Sequence, residues 1–328
     1  MKIIKPNAEL LTHDIPAYQF IEKVGRTCYK SEDKITDTSA VNFVKALVKN
    51  KHLAMLEHEY LYLFIGTPTD LHEFMHIDEL TSGDEASLMK YFNIHDDIVS
   101  GSFRAWIELF DKIENEPTIR ISSIYVYIYK LLNEKYPEIF NNEYYLKDNE
   151  GYEYEYSGNV VFMSRKEVKR WCDDYSDAKK ILPHTIKFTC DRGVSHEFVR
   201  HRPASFAQES TRYCNYSHNK FGNELTFIKP CFLDYKVDDN GDLWHYICEE
   251  SEKMYFTMLK EGATPEQARS ILPNSLKTEL IITATEEEWQ HIVDLRYHGT
   301  TGKPHPQMKE VMDIAYPLLV QSSEGRIQ

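Results

Sequence analysis

Arg200-His201-Arg202-Pro203-Ala204-Ser205-Phe206-Ala207-Gln208-Glu209-Ser210-Thr211-Arg212-Tyr213 is the stretch that decides the reading of this chain. It gathers three arginines, a histidine, two serines and a tyrosine in a protein of net charge -14. Guanidinium forks bind phosphate oxygens in pairs, and hydroxyl and backbone N–H groups complete such cradles. The segment therefore reads as an anion site for a phosphorylated small molecule. Just upstream, Ile186–Cys190 has the β-branched and aromatic character of a strand. Asp191-Arg192-Gly193 reads as a turn, and the residues from Val194 to His201 as the start of a helix. A strand–turn–helix unit that delivers basic residues suits a phosphate site.

The 328 residues suffice for one large domain or two smaller ones. The acidic balance argues against a nucleic-acid partner, which would require a basic face. With 22 Tyr and 16 Phe the composition is that of a folded protein. The six cysteines, at 28, 172, 190, 214, 231 and 248, form no CxxC pair, so reduced thiols in a cytoplasm are expected. Met1–Pro6 lacks the apolar run of a signal peptide, and no stretch approaches the length of a membrane span.

Three zones follow along the chain. Residues 1 to about 65 mix helical and strand patterns, with a helix expected over Ser39–Val48 and a strand over Tyr60–Ile65. Residues 66–180 hold 23 Asp+Glu against 13 Lys+Arg. They read as an acidic insertion, solvated and decorating the core, with helices over Ser102–Ile113, Ile121–Lys135 and Ser164–Asp174 and a tyrosine-rich strand or loop over Tyr144–Tyr156. Residues 181–328 carry the chemistry. Within them Thr264 caps a short helix, with Pro265 at its first position, Gln267 closing a capping box and an end near Leu272, before Pro273. Thr285 caps another helix, whose first turn holds Glu286, Glu287 and Glu288 as the macrodipole favours. Trp289, Ile292, Val293 and Arg296 are expected on one face of it. An Arg on an apolar face is costly unless paired or bound.

Arg-His-Arg, seven residues, then Ser, followed by Arg and Tyr, resembles the signature of the flavin-dependent thymidylate synthases. The approach Thr189–His196, the block Gly262–Arg269 and the helix after Thr285 are similar to further blocks of that family, and Pro306-Gln307-Met308 resembles its final patch less closely. His52–His58 resembles a His-containing segment that contacts flavin, and Arg26-Thr27-Cys28 another family turn. The resemblance covers residues 1–65 and about 180–320. It implies a mixed α/β (α+β) fold with a mixed sheet flanked by helices, and one catalytic domain assembled as a homotetramer with shared active sites. It implies FAD as cofactor, NADPH and methylenetetrahydrofolate as co-substrates, and dUMP as substrate.

Site roles carry over residue by residue. Arg200, His201 and Arg202 are expected on FAD, with Arg200 near the boundary to dUMP. Gln208, Glu209, Ser210, Thr211, Arg212 and Tyr213 are expected around dUMP and its phosphate, with Gln208 also at the cofactor. Glu197 and Arg269 are expected at the substrate, and Arg296 at the pyrimidine edge as the catalytic side chain. His52, Ala54 and Glu57 are expected to line the flavin from another subunit. Thr285, Glu287 and His291 stand where some members use Asn, Arg and Asn on the flavin, and a glutamate facing a flavin phosphate would be repulsive. Arg104 in the unmatched middle is a candidate substitute for that contact. No protein cysteine nucleophile is needed, so Cys214 beside the signature reads as a small buried hydrophobe.

Two readings from other classes stand beside this one. His72-Glu73-Phe74-Met75-His76 matches the HExxH pattern of a zinc hydrolase, with both histidines on one helical face. Its place in the first turn after Thr67-Pro68-Thr69-Asp70 is a poor setting for such a site. A non-catalytic nucleotide-binding module would explain the cradle without turnover.

Overall fold

The computed structural model describes residues 1–66, 68–75, 88–115, 123–141, 159–174, 181–218, 221–233 and 239–328. The fold is α+β and divides into two compact units. The first comprises Met1–Thr12, Lys23–Lys34 and His184–Gln328, and the second His13–Glu22 and Ile35–Pro183.

The chain opens with strands β1 (Lys2–Ile4) and β2 (Asn7–Leu11) of the first unit, followed by helix α1 (Ala17–Tyr29). It then builds the second unit from α2 (Ser39–Lys49), a 3-10 segment Leu53–His58, β3 (Tyr60–Ile65), α3 (Pro68–Met75), β4 (Phe92–His95), β5 (Ile98–Ser102), α4 (Phe103–Asn115), α5 (Ser123–Lys135), β6 (Val160–Met163) and α6 (Arg165–Asp174). Its sheet runs β4-β5-β3-β6, antiparallel throughout. The apolar face of α4 carries Phe103, Trp106, Leu109, Phe110 and Ile113 into a core shared with Leu61, Leu63, Val99 and Tyr125. Gly101 of β5 permits the closest approach there, since a Cβ would meet the Phe92 ring at 2.6 Å. The acidic segment therefore contributes to a packed core that it shares with residues before position 66. The division of the chain also falls elsewhere than near residue 65, because β3 hydrogen-bonds to β5 and β6 on its two sides. Residues Tyr144–Tyr156 lie outside the described residues.

The chain returns to the first unit with β7 (Pro183–Asp191), α7 (Arg192–Phe198), β8 (Ser205–Gln208), β9 (Thr226–Ile228), α8 (Asp239–Lys260), α9 (Pro265–Ala268), β10 (Lys277–Thr285), α10 (Glu286–Val293) and α11 (Pro306–Ser322). Its sheet runs β2-β7-β10-β8, with β2 antiparallel to β7 and β8 antiparallel to β10. A parallel pair, β1 with β9, lies beside it in the same unit. Ile186, Phe188, Leu280 and Ile282 from the sheet pack with Val194, Phe198, Trp289, Ile292, Val293 and the α11 residues Met308, Val311, Met312, Ala315 and Leu319. Full burial of such side chains contributes about 1.5–3 kcal/mol each. Trp289 keeps its indole N–H satisfied by donating to the His184 carbonyl at 2.9 Å.

The expected caps are present. Thr264 and Gln267 form the reciprocal capping box, and Thr285 accepts from the Glu288 N–H. The expected turn at Asp191-Arg192-Gly193 is instead the N-cap and first turn of α7. The Asp191 carboxylate accepts from the Val194 N–H at 2.9 Å, which starts the helix at Arg192. The α-helix after Thr285 also stops sooner than its apolar spacing implies. Residues Asp294–His298 continue it as a π-helical turn, closed by Gly299 at φ 71°. Arg296 falls within that turn and is half-buried, whereas Trp289, Ile292 and Val293 of the preceding helix are fully buried.

Candidate active site

All but three of the residues expected at the site lie in the first unit, at the end of α7 and in the segment after it, on β8 and the turn after it, just after α9, at the end of β10 and on α10 with its π-turn. β8 and β10 pair in the register Leu280↔Gln208 and Thr283↔Ser205, which fixes where the signature leaves the sheet. The Gln208 amide donates to Ser195 Oγ at 2.9 Å and to Thr278 Oγ1 at 3.2 Å. Glu209 then turns inward. Its N–H donates to the Glu279 carbonyl, and its carboxylate takes Lys277 Nζ at 2.8 Å and the Tyr216 hydroxyl at 3.1 Å. Glu209 is therefore a buried brace for the loop, with its side chain and its N–H already committed. The reason is electrostatic: a second carboxylate, Glu279, shares Lys277 and also binds Lys30 and Lys187, so four chain segments meet in one alternating charge cluster. Burial alone would raise Glu279, but the three ammonium groups, Lys277 first, hold its carboxyl far below the usual range. Burial opposes the charge on Lys277, yet Glu209 and Glu279 hold its ammonium above the ordinary lysine value.

The chain after Glu209 forms a tight turn. The Ser210 N–H donates to the Cys28 carbonyl at 2.9 Å, and the Ser210 carbonyl accepts from Tyr213 and Cys214. Thr211 is buried and its hydroxyl lies 3.5 Å from Arg269 Nη1. Arg212 and Tyr213 are exposed, with the guanidinium 5.4 Å above the phenol ring and 3.2 Å from Glu266. Ser210, Thr211, Arg212 and Arg269 thus come together as a hydroxyl and guanidinium cluster. Cys214 is buried, as its sequence setting implied.

Arg200 and Arg202 are both exposed, and among the described residues neither side chain has an ion pair or hydrogen bond. His201 between them is buried. Its Nε2 accepts from Arg296 Nε at 3.1 Å, while Arg296 Nη1 reaches Glu197 Oε2 at 2.8 Å and Nη2 the Glu197 carbonyl at 3.3 Å. Arg296 is therefore aimed by Glu197 and His201 together. Burial, with the charges of Arg296 and His291 added, pushes the His201 imidazole down to about 4. Its Nδ1 faces Glu288 Oε1 at 3.7 Å. Burial, with Glu287 adding to it, lifts the Glu288 carboxyl to about 7. His201, Glu288 and His291 are also the one group of metal-capable side chains among the described residues, with ligand atoms all within 4.8 Å of one another. The sequence reading placed no metal here and did not single out Glu288. Its spacing from His291, three residues on, was the available signal.

The three acidic residues that open α10 diverge in role. Glu286 is buried against His184 at 2.8 Å and Arg326 at 2.9 Å, Glu287 is exposed, and Glu288 faces His201. Thr285 is the buried cap and His291 is exposed.

The second unit holds the other expected site residues. His52 and Ala54 are exposed on the 3-10 segment and its approach. Glu57 pairs with Arg104, which also donates to Glu108 at 2.6 Å. The Arg104 guanidinium is thus committed to two carboxylates, which removes it as a ready replacement for a phosphate contact. Of the HExxH stretch, His72 is exposed on α3. His76 and the Glu73 side chain lie outside the described residues.

The model of the thymidylate synthase complementing protein family matches residues 175–321. Among curated relatives, the flavin-dependent thymidylate synthase of Thermococcus onnurineus (strain NA1) is 36% identical over 110 residues, covering 33% of this chain and 42% of the relative. That of Pyrococcus abyssi (strain GE5 / Orsay) is 34% identical over 122 residues, covering 36% of this chain and 49% of the relative. The chain thus spans less than half the length of these relatives. A crystal structure of the UMP/dUMP methylase PolB from Streptomyces cacaoi, bound with 5-Br dUMP, aligns over 99% of this chain and 96% of that one, with a TM-score of 0.41 and 13% identity. No helix among the described residues is long and apolar enough to cross a membrane, and all six cysteines are free.

Proposed function

We propose that this chain, whose residues 175–321 belong to the thymidylate synthase complementing protein family, is an FAD-dependent thymidylate synthase. It would convert dUMP, methylenetetrahydrofolate, NADPH and a proton to dTMP, tetrahydrofolate and NADP. The observation that carries the reading is the pair of exposed guanidinia at Arg200 and Arg202, without an ion-pair or hydrogen-bond partner among the described residues, followed along the chain by a second cluster at Ser210–Tyr213 with Arg269, in a protein of net charge -14. Uncommitted arginines in an acidic protein are suited to phosphate ligands, because each offers a bidentate fork that need not first be detached from a carboxylate.

The two clusters divide the ligands. Arg200 and Arg202 would hold the FAD phosphates. The start of α10 does not fit that role, since Glu287 and Glu288 place negative charge there, so the flavin contacts at Thr285, Glu287 and His291 are not carried forward. Ser210, Thr211, Arg212 and Arg269 would hold the dUMP phosphate, with Tyr213 against it. In this reading Glu209 serves them by fixing the loop. Bound FAD would supply the hydride chemistry that side chains cannot perform. A homotetramer would bring His52, Ala54 and Glu57 to the flavin from a neighbouring copy.

Arg296 would act at the pyrimidine edge. Uracil C5 is a weak nucleophile until negative charge develops on the ring, mostly at N3 and its flanking carbonyls, and a guanidinium held at that edge would stabilise this charge, most in the transition state. Glu197 and His201 restrain its three nitrogens, so little reorganisation is left for the moment of reaction.

The test is a purified chain assayed for flavin absorbance and for dTMP formation with all three co-reactants. Arg202→Ala should weaken FAD by about 10- to 150-fold, the loss of one charge-assisted bond of about 1.5–3 kcal/mol. No dTMP from the FAD-loaded protein would refute the activity. Unchanged FAD affinity in the variant would refute the assignment of Arg202.

A further inference from the structure

We propose that His201, Glu288 and His291 form a three-ligand site for a divalent metal ion of the zinc class. The inference goes beyond the synthase reading and does not depend on it. Glu288 and His291 lie three residues apart on α10, so they project from one face of the helix. His201, in the segment after α7, completes the group, and all three ligand atoms lie within 4.8 Å of one another. Two imidazoles and one carboxylate are the donor set that zinc, cobalt and nickel take readily, with a fourth position left for solvent or a ligand.

A second observation points to a cation independently of this clustering. Glu288 is only 7% exposed, and its Oε1 is buried without a hydrogen-bond partner. A buried carboxylate oxygen in that condition is costly unless a donor or a cation faces it. His201 Nδ1 is 3.7 Å away, too far for a hydrogen bond. His291 is exposed and provides the route in. Ligand bonds of about 2.0–2.2 Å require the three side chains to draw together by roughly an ångström, which side-chain rotation can supply.

Binding would also reach Arg296. Its Nε–H now donates to His201 Nε2, so that nitrogen carries a lone pair and Nδ1 the proton. Ligation through Nδ1 moves the proton to Nε2, where it meets the Arg296 N–H head-on. The guanidinium must then release His201 and keep Glu197 alone.

The experiment is titration of the metal-stripped, flavin-free full chain with Zn²⁺ by calorimetry and with Co²⁺ by visible absorption. The expected result is one equivalent bound per chain with the intense visible bands of low-coordinate cobalt. His291→Ala, at an exposed position, and Glu288→Gln, nearly isosteric, should each weaken binding by more than the roughly 10- to 100-fold typical of losing an outer-shell partner. His72→Ala, in the other unit, serves as the control for surface histidines and should bind as the parent does. Absence of stoichiometric binding, or binding unaltered in both site variants when circular dichroism shows them folded, overturns the proposal. Synthesis of dTMP by the same stripped protein, reloaded with FAD alone, is scored separately. Activity without metal binding would therefore sink only the metal site, and metal binding without activity only the synthase reading.

Discussion

Replacing Lys277 by Met should destabilise the signature loop through Glu209, and the size follows from the charge cluster. The Glu209 side chain is 1% exposed and has two partners, Lys277 Nζ at 2.8 Å and the Tyr216 hydroxyl at 3.1 Å. Glu279 shares Lys277 but retains Lys30 and Lys187. The substitution therefore strands one buried carboxylate, not two. Breaking a buried pair from one side costs about 3–5 kcal/mol, because the remaining charge stays desolvated. For a unit of this size each kcal/mol moves the midpoint by about 2–4 °C, so a drop of roughly 6–20 °C is expected near pH 7.5. Thermal melts followed by circular dichroism measure it. The double variant Lys277→Met with Glu209→Gln should recover much of the loss, since it removes the orphaned charge. A drop below about 2 °C, or a double variant that only adds further loss, would show that Glu209 is not held as a buried charge.

Arg296→Ala should lower turnover by roughly 10²–10³-fold, the scale of one preorganised donor, while FAD loading is unchanged; near-normal dTMP formation at saturating dUMP would remove Arg296 from the chemistry. Arg212→Lys keeps the charge but loses the fork, so it should raise the dUMP dissociation constant and leave FAD affinity nearly intact; equal losses in equilibrium titrations of both ligands would dissolve the division of the signature. Glu279 has a folded pKa depressed below its unfolded value, so its contribution is fully present above about pH 4.5 and lost as pH falls below that. The stability difference between the parent and Glu279→Gln, from urea melts, should be constant at pH 6–7 and narrow toward acid; a difference that widens would reverse the sign of the argument.

What was legible in the sequence was local. Thr264, Pro265 and Gln267 announce a capping box within four residues, and the structure forms it. The continuous aromatic and aliphatic run Tyr60–Ile65 announces a strand, and the strand is there. The chemistry of Arg200–Tyr213 was legible for the same reason, since the ligand-binding groups lie within one short segment. Long-range charge pairing was not. Lys277 is 68 residues from Glu209, and only the sheet register that sets Gln208 beside Leu280 brings them together. A glutamate inside a basic signature consequently read as part of a phosphate cradle, whereas it is the counter-ion of a lysine from another strand. In the acidic middle the helix was legible, but not its partner: Phe103 and Trp106 of α4 pack into a core with Leu61, Leu63 and Val99 that composition does not reveal.

The run Glu286-Glu287-Glu288 shows where such reading ends. A macrodipole argument treats the three as equivalent, because each lies in the first turn of α10 and each faces the same partial positive charge. The helix turns about 100° per residue, however, so consecutive side chains look in three directions. One meets His184 and Arg326 and becomes a buried ion pair, one is exposed, and one meets His201 across 3.7 Å. Their cost differs accordingly. The first keeps its carboxyl below the usual range although burial pushes the other way, and the third is lifted to about 7 by burial. Identity of sequence thus separates into a structural anchor, an exposed charge and an unsatisfied ligand. The third is the group that either a metal ion must neutralise or a proton must.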